Sequence, residues 1–209
     1  MAVPDELPPF ACALMRCDDS TSVTLPNGSR FIRKLPDERP LGYLHKLFAP
    51  LSPAGLMSLS TMLGRRLPAQ FEAFLGWSNG ATLFDNSFCI FGFQEGLAVS
   101  RSIELEAQTA INIAWENEIY ACVHPQQWNE GWIRIGSVTG WDSTFHIDGH
   151  ESGECAISGE AGGRRTFPTF NSCIERIVMR LSPCFSCDGL VDPRSAEREA
   201  ALRSLVYDG

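Results

Sequence analysis

The chain has 209 residues, 44% of them hydrophobic and 20% charged, which are globular values and exclude wholesale disorder. A formal net charge of −8 leaves no basic stripe to displace counterions from phosphates, so direct nucleic-acid binding is disfavoured and a basic protein partner suits the chain better. No apolar run reaches membrane-spanning length, the opening MAVPDELPPFAC lacks a basic n-region, and the eight cysteines are scattered among ample core residues. The expectation is a cytoplasmic protein with reduced thiols and no membrane contact.

Residues 1–40 hold LPPF, TLPNGSR and KLPDERP, prolines and polar turns without sustained periodicity, and are expected to form an N-terminal extension with a short hairpin around Asn27 and Gly28. From Leu41 the spacing of Leu44, Leu47 and Phe48 predicts a helix. Ser52 then caps a second, with Pro53 in its first turn and Leu56, Leu59, Met62 and Leu63 inward. In LPAQFEAFLGWSNG, Leu67, Phe71, Phe74 and Leu75 fall at i, i+4, i+7 and i+8, a third helix that tolerates Pro68 in its first turn.

ATLFDNSFCIFGF reads as a hairpin turning at Asp85 and Asn86, both tolerant of positive φ. A helix is predicted over 104–120 with Ala107, Ile111, Ala114 and Trp115 inward. WIRIGSV, TFHID and ECAIS follow as strands of an antiparallel meander, and GEAGGRR (159–165) as a mobile loop. Thr169 caps a helix with Phe170, Ile174, Ile177, Val178 and Leu181 inward, and a last helix after Asp192 and Pro193 buries Leu202, Leu205 and Val206.

GWSNG, residues 76–80, fits the G-x-S-x-G pattern of a hydrolase nucleophile elbow. That device needs a strand before the serine and a helix after it, so that amides meet the oxyanion. Here a helix enters and a strand leaves, so Ser78 is expected at a helix C-terminus, where the dipole opposes an oxyanion. Asn79 and Gly80 then serve to close the helix.

The order of these features resembles the SUKH superfamily, which includes bacterial immunity proteins and fungal cell-wall-assembly regulators. The likeness spans roughly residues 41–181. It rests on Leu67 and Pro68 opening an aromatic helix with Phe71 and Phe74, on Asn79 and Gly80 closing it, and on Trp132, Ile135 and Gly136 in a following strand. Gly140, Asp142, Phe145 and Asp148 approximate a glycine-aspartate turn into an aromatic strand, although Trp141 separates Gly140 from Asp142 and Ala81 stands where a second glycine is common. The resemblance implies a single α+β domain over residues 41–182, with a central, largely antiparallel sheet surrounded by helices, followed by a C-terminal loop and short helix over 183–209. It also implies a non-enzymatic protein that binds and blocks a cognate toxin, such as a nuclease, without a cofactor.

His146 and His150 with Cys184 and Cys187 supply two imidazoles and two thiolates, a set able to hold zinc if the CFSC loop folds back onto HIDGH. Asp142, Asp148, Glu151 and Glu154 cluster at turns, where capping of backbone amides explains them without acid-base chemistry. Trp115, Trp128, Trp132 and Trp141 crowd one stretch, and tryptophan is enriched at interface hot spots. Trp141, in a turn, is the first choice for a partner contact, Trp77 the second, with Asp142 and Asp148 as acidic companions. The alternatives are a regulatory interaction module of the same fold and a small zinc-dependent enzyme. Oligomeric state is not set by these residues.

Overall fold

The computed structural model describes residues 9–36, 42–94, 111–138, 143–150, 152–159, 163–185 and 196–206. Helix α1 (Pro9–Met15) precedes strands β1 (Val23–Thr24) and β2 (Arg30–Lys34), which pair through Val23↔Phe31 and Thr24↔Arg30. Their turn uses Asn27, whose Oδ1 accepts the Ser29 amide at 3.0 Å, and Gly28 at φ +92°, a conformation that glycine adopts without a Cβ penalty. The hairpin expected at Asn27 and Gly28 is present, and the strands it joins belong to the main sheet.

Strand β3 (Tyr43–Leu47) corrects the helix expected from Leu41. It pairs with β2 on one side and with β4 (Ala81–Leu83) on the other, and both Leu44 and His45, on opposite faces, are buried. A strand buried on both faces loses its alternation, and the surviving Leu44–Leu47 spacing imitates a helical one.

Helix α2 (Pro53–Leu63) starts as expected, with Ser52 Oγ accepting the Gly55 amide at 3.1 Å. Leu59 and Leu63 point inward, while Met62 is 65% exposed. Helix α3 (Ala69–Trp77) buries Phe71, Phe74 and Leu75. Strands β4 and β5 (Phe88–Ile90) form the expected hairpin, and not only Asp85 and Asn86 but also Phe84 have positive φ.

Helices α4 (Ile113–Val123) and α5 (Pro125–Asn129) lead into β6 (Trp132–Val138), β7 (Ser143–Asp148), β8 (Cys155–Ser158) and β9 (Arg164–Phe167). Strand β9 takes Arg164 and Arg165 out of the loop expected at 159–165, since both pair with β8. Helix α6 (Phe170–Leu181) is capped by Thr169 as expected, and Ser172 completes a capping box; a 3₁₀ turn spans Ser182–Cys184, and α7 (Ala196–Val206) closes the described chain with Leu202 and Leu205 buried.

The nine strands form one antiparallel sheet whose spatial order is the chain order, β1 to β9. With the helices packed on it, this is an α+β domain. On one face Phe145 meets Phe88 at 5.2 Å and Phe170 at 6.2 Å between ring centroids, and Phe170 meets Phe71 and Phe74 at 5.4 and 5.2 Å. These contacts join α3, α6 and the sheet into one aromatic core. Helices α4 and α5 cover β6 on the other face.

Gly136 has a sharper role than its sequence suggests. A bulge shifts the β6–β7 register between Arg134 and Gly136, and a Cβ on Gly136 would lie 2.3 Å from the Cys89 carbonyl oxygen. Only glycine lets β5 and β6 approach this closely there.

Candidate functional site

Helix α4 is anchored to the bulge by one amide. Asn117, 1% exposed, donates through Nδ2 to the Ile113 and Arg134 carbonyls at 2.8 and 2.7 Å, and its Oδ1 accepts the Arg134 amide at 2.8 Å. With Asn117, Ala114 and Tyr120 turned inward, Trp115 faces out and is 58% exposed, which corrects the inward face expected for this helix. Residues 104–110 of the predicted helix, and Ala107 with them, lie outside the described residues; Ile111 precedes α4 and is 46% exposed.

Between this helix and the sheet is a cleft of about 420 Å³. Tyr120, His124 and Gln127 form its helical wall, Trp132, Thr144 and His146 its floor on β6 and β7, and Ser158 and Arg164 its side on β8 and β9. Register explains the convergence, since Thr144 lies opposite Ser158, and Ser158 opposite Arg164, on neighbouring strands. Tyr120 stands 5.0 Å from His146 and 5.1 Å from His124 between ring centroids, with its hydroxyl 3.3 Å from Gln127 Oε1. Arg164 lies over Trp132 with Cζ 4.3 Å from the ring centroid.

The electrostatics are one-sided. Burial, reinforced by the nearby charges of Arg134, Arg164 and His124, lowers the His146 pKa to about 3, so the imidazole is neutral at neutral pH. Burial also raises the Tyr120 pKa, opposed by Arg164 and Arg134. Arg134 is held by Glu116 at 2.9 Å, and among the described residues no carboxylate lines the cleft.

The residues singled out from sequence scatter. Leu67 and Pro68 are buried at the start of α3, and Trp77 is half-buried at its end against Phe74, 6.1 Å between centroids. Asp148 caps its own turn, accepting from the His150 amide at 3.0 Å and the Ser152 hydroxyl at 2.7 Å. That turn lies near the other end of α3, where a Cβ on Gly153 would meet Pro68 at 3.5 Å, about 13 Å of helix from Trp77. Gly140, Trp141 and Asp142 lie outside the described residues.

Asn79 does more than end a helix. Its side chain donates to the Phe93 carbonyl and accepts the Phe93 amide, both at 2.7 Å, while Gly80 at φ +85° makes the turn. Ser78 is 1% exposed, and its hydroxyl donates to the Gly80 and Phe48 carbonyls at 2.7 and 3.3 Å. A helix precedes it and a strand follows it, the reverse of an elbow.

The zinc set does not assemble among the described residues, where no three His, Cys, Asp or Glu side chains converge on one point. His146 faces the cleft, His150 is exposed beside Gly131, Cys184 is buried at the end of α6, and Cys187 lies outside the described residues. The described cysteines are free thiols, and burial raises the pKa of Cys155, Cys173 and Cys184. No described helix is long and apolar enough to cross a membrane.

Sequence reasoning missed Tyr120, His124 and Arg164. Tyr120 and His124 at i and i+4 were a legible signal; Arg164 was not, because its loop assignment hid the strand. No protein-family model matches the chain, and no curated protein matches it.

Proposed function

We propose that the chain is a SUKH-like, non-enzymatic binding protein of the cytoplasm that captures and neutralises a cognate protein toxin. The observation that carries this reading is an outward stripe ahead of and along α4. Ile111, Trp115, Ile119 and Val123, spaced four residues apart, are 46%, 58%, 45% and 64% exposed. Such an exposed apolar row is a surface for another protein, and its tryptophan is the residue type most often found at interface hot spots. The order of the Leu67–Pro68, Asn79–Gly80 and Trp132–Gly136 motifs supports the family, and the net charge of −8 suits a basic partner such as a nuclease toxin. The engagement of Ser78 and Asp148 in backbone hydrogen bonds supports binding over catalysis.

The test begins with tagged protein recovered from its own cells through a high-salt wash, and the co-purified chains identified. The expected result is one stoichiometric partner with a toxin domain, whose toxicity in a naive host is suppressed by co-expression of this chain. Trp115→Asp, on an exposed position, should weaken the complex at least about a hundredfold without changing the unfolding midpoint. Several substoichiometric partners, or a toxin still lethal in the presence of the chain, would overturn the immunity reading in favour of a regulatory module.

A further inference from the structure

The cleft between α4 and strands β6–β9 is separate from the outward stripe, because Tyr120 turns inward on the helix whose Trp115 and Ile119 face solvent. It combines three features. The first is an unanswered polar atom: His146 is 6% exposed, and its Nε2 has no hydrogen-bond partner among the described residues. Buried polar atoms are paired as a rule, so an unpaired nitrogen on a side chain that lines the cleft is a group that a bound molecule can answer. The second is an unneutralised cation. Arg134 has Glu116, whereas Arg164 rests on Trp132 and, among the described residues, has no carboxylate within ion-pair distance. The third is aromatic lining, with Tyr120 from the helical wall and Trp132 from the floor of a space whose volume of about 420 Å³ suits a small molecule.

We propose that this cleft binds a small organic anion built on a planar ring. Arg164 holds its phosphate or carboxylate, Tyr120 and Trp132 contact the ring, and His146 Nε2 hydrogen-bonds a polar atom of it. The arginine fork matches a carboxylate or phosphate edge. The aromatic side chains supply flat apolar area, and a neutral imidazole supplies a directional hydrogen bond rather than a second charge. Among the described residues the lining holds an arginine and no carboxylate, a balance that favours an anion.

Calorimetric titration of the full chain tests this with adenosine 5′-monophosphate, salicylate and indole-3-acetate. Each is run beside its uncharged counterpart (adenosine, salicylamide, indole-3-acetamide), and inorganic phosphate is run alone. At least one ring-bearing anion should bind with a Kd below about 1 mM and at least about tenfold tighter than its uncharged counterpart. Binding should shift the His146 ring-proton resonance. Arg164→Gln, on an exposed edge-strand position, should weaken the interaction at least about tenfold with the unfolding midpoint retained, and Glu199→Gln should leave it unchanged. No binding by any ring-bearing anion, equal binding by Arg164→Gln, or phosphate binding as tightly as the best of them would overturn the proposal. Because Trp115→Asp leaves the cleft intact, this outcome and that of the toxin experiment are read independently.

Discussion

His45 and His146 are 1% and 6% exposed, and burial lowers both imidazoles from an ordinary pKa of 6.5 to about 3. His45 Nδ1 accepts the Phe84 amide at 3.2 Å, which fixes the neutral tautomer, and its ring meets Phe84 edge-on at 4.7 Å. The unfolded chain therefore takes up protons near pH 6.5 that the folded chain refuses. Since stability rises with pH wherever the unfolded state binds more protons, these residues cost nothing above pH 6.5 and destabilise progressively as pH falls from 6.5 toward 3. At about pH 5 each histidine should remove about 2 kcal/mol. Urea unfolding as a function of pH checks this: the wild-type slope should be steep below pH 6.5, and His146→Phe should flatten roughly half of it. A wild-type midpoint unchanged by acidification across this range would count against the buried neutral state.

At the scale of elements, the decisive contact is the one between α4 and β6. Asn117 alone satisfies two carbonyls and one amide, two of the three at the bulge residue Arg134. Replacing it by leucine keeps the branched shape but leaves the Arg134 backbone groups unpaired, a cost of about 2–4 kcal/mol in the urea unfolding free energy. Because α4 carries Tyr120 inward and Trp115 outward, Asn117→Leu should also weaken both proposed binding events, although it touches neither ligand. Amide exchange along α4 should accelerate before that along α6, which is independently held by its capping box and by contacts with α1, α3 and α7. Equal acceleration in both helices would show that α4 has no separate anchorage. The same amide explains why hydrophobic spacing misjudged this helix: a polar residue faces inward and a tryptophan faces out, the reverse of what an apolar stripe encodes.

Across the whole molecule, the sheet does not stop where the composition changes. The segment before residue 41, set apart in the sequence by its prolines, contributes β1 and β2 to the sheet and buries Ala11, Leu14, Phe31, Ile32 and Leu35. Strand β2 covers the edge of β3, and α1 packs on α6. Deleting residues 1–36 should therefore expose a long apolar edge and remove more than about 5 kcal/mol, enough to abolish cooperative unfolding in a domain of ordinary stability. Near-ultraviolet circular dichroism and a denaturant titration of the truncated chain would check this. A truncated protein with a native-like spectrum and a sharp transition would show that residues 37–209 fold without it.

The sequence by itself determined the local structure and the class of fold. The Ser52 and Thr169 caps, the Phe71–Phe74–Leu75 face, the turns at Gly28, Asp85 and Asn86, and the short apolar runs of β6 to β8 between turn residues are all readable because each depends on neighbours within a few residues. What depends on partners distant in the chain was decided only by tertiary structure. The strand identity of Tyr43–Leu47 comes from pairing on both sides, the need for Gly136 from a carbonyl on β5, and the inward turn of Asn117 from the bulge of β6. The cleft belongs to the same group. Tyr120, Trp132, His146 and Arg164 come from four elements, and hydrogen-bonded register together with one buried amide, rather than any spacing in the chain, places them around a common space.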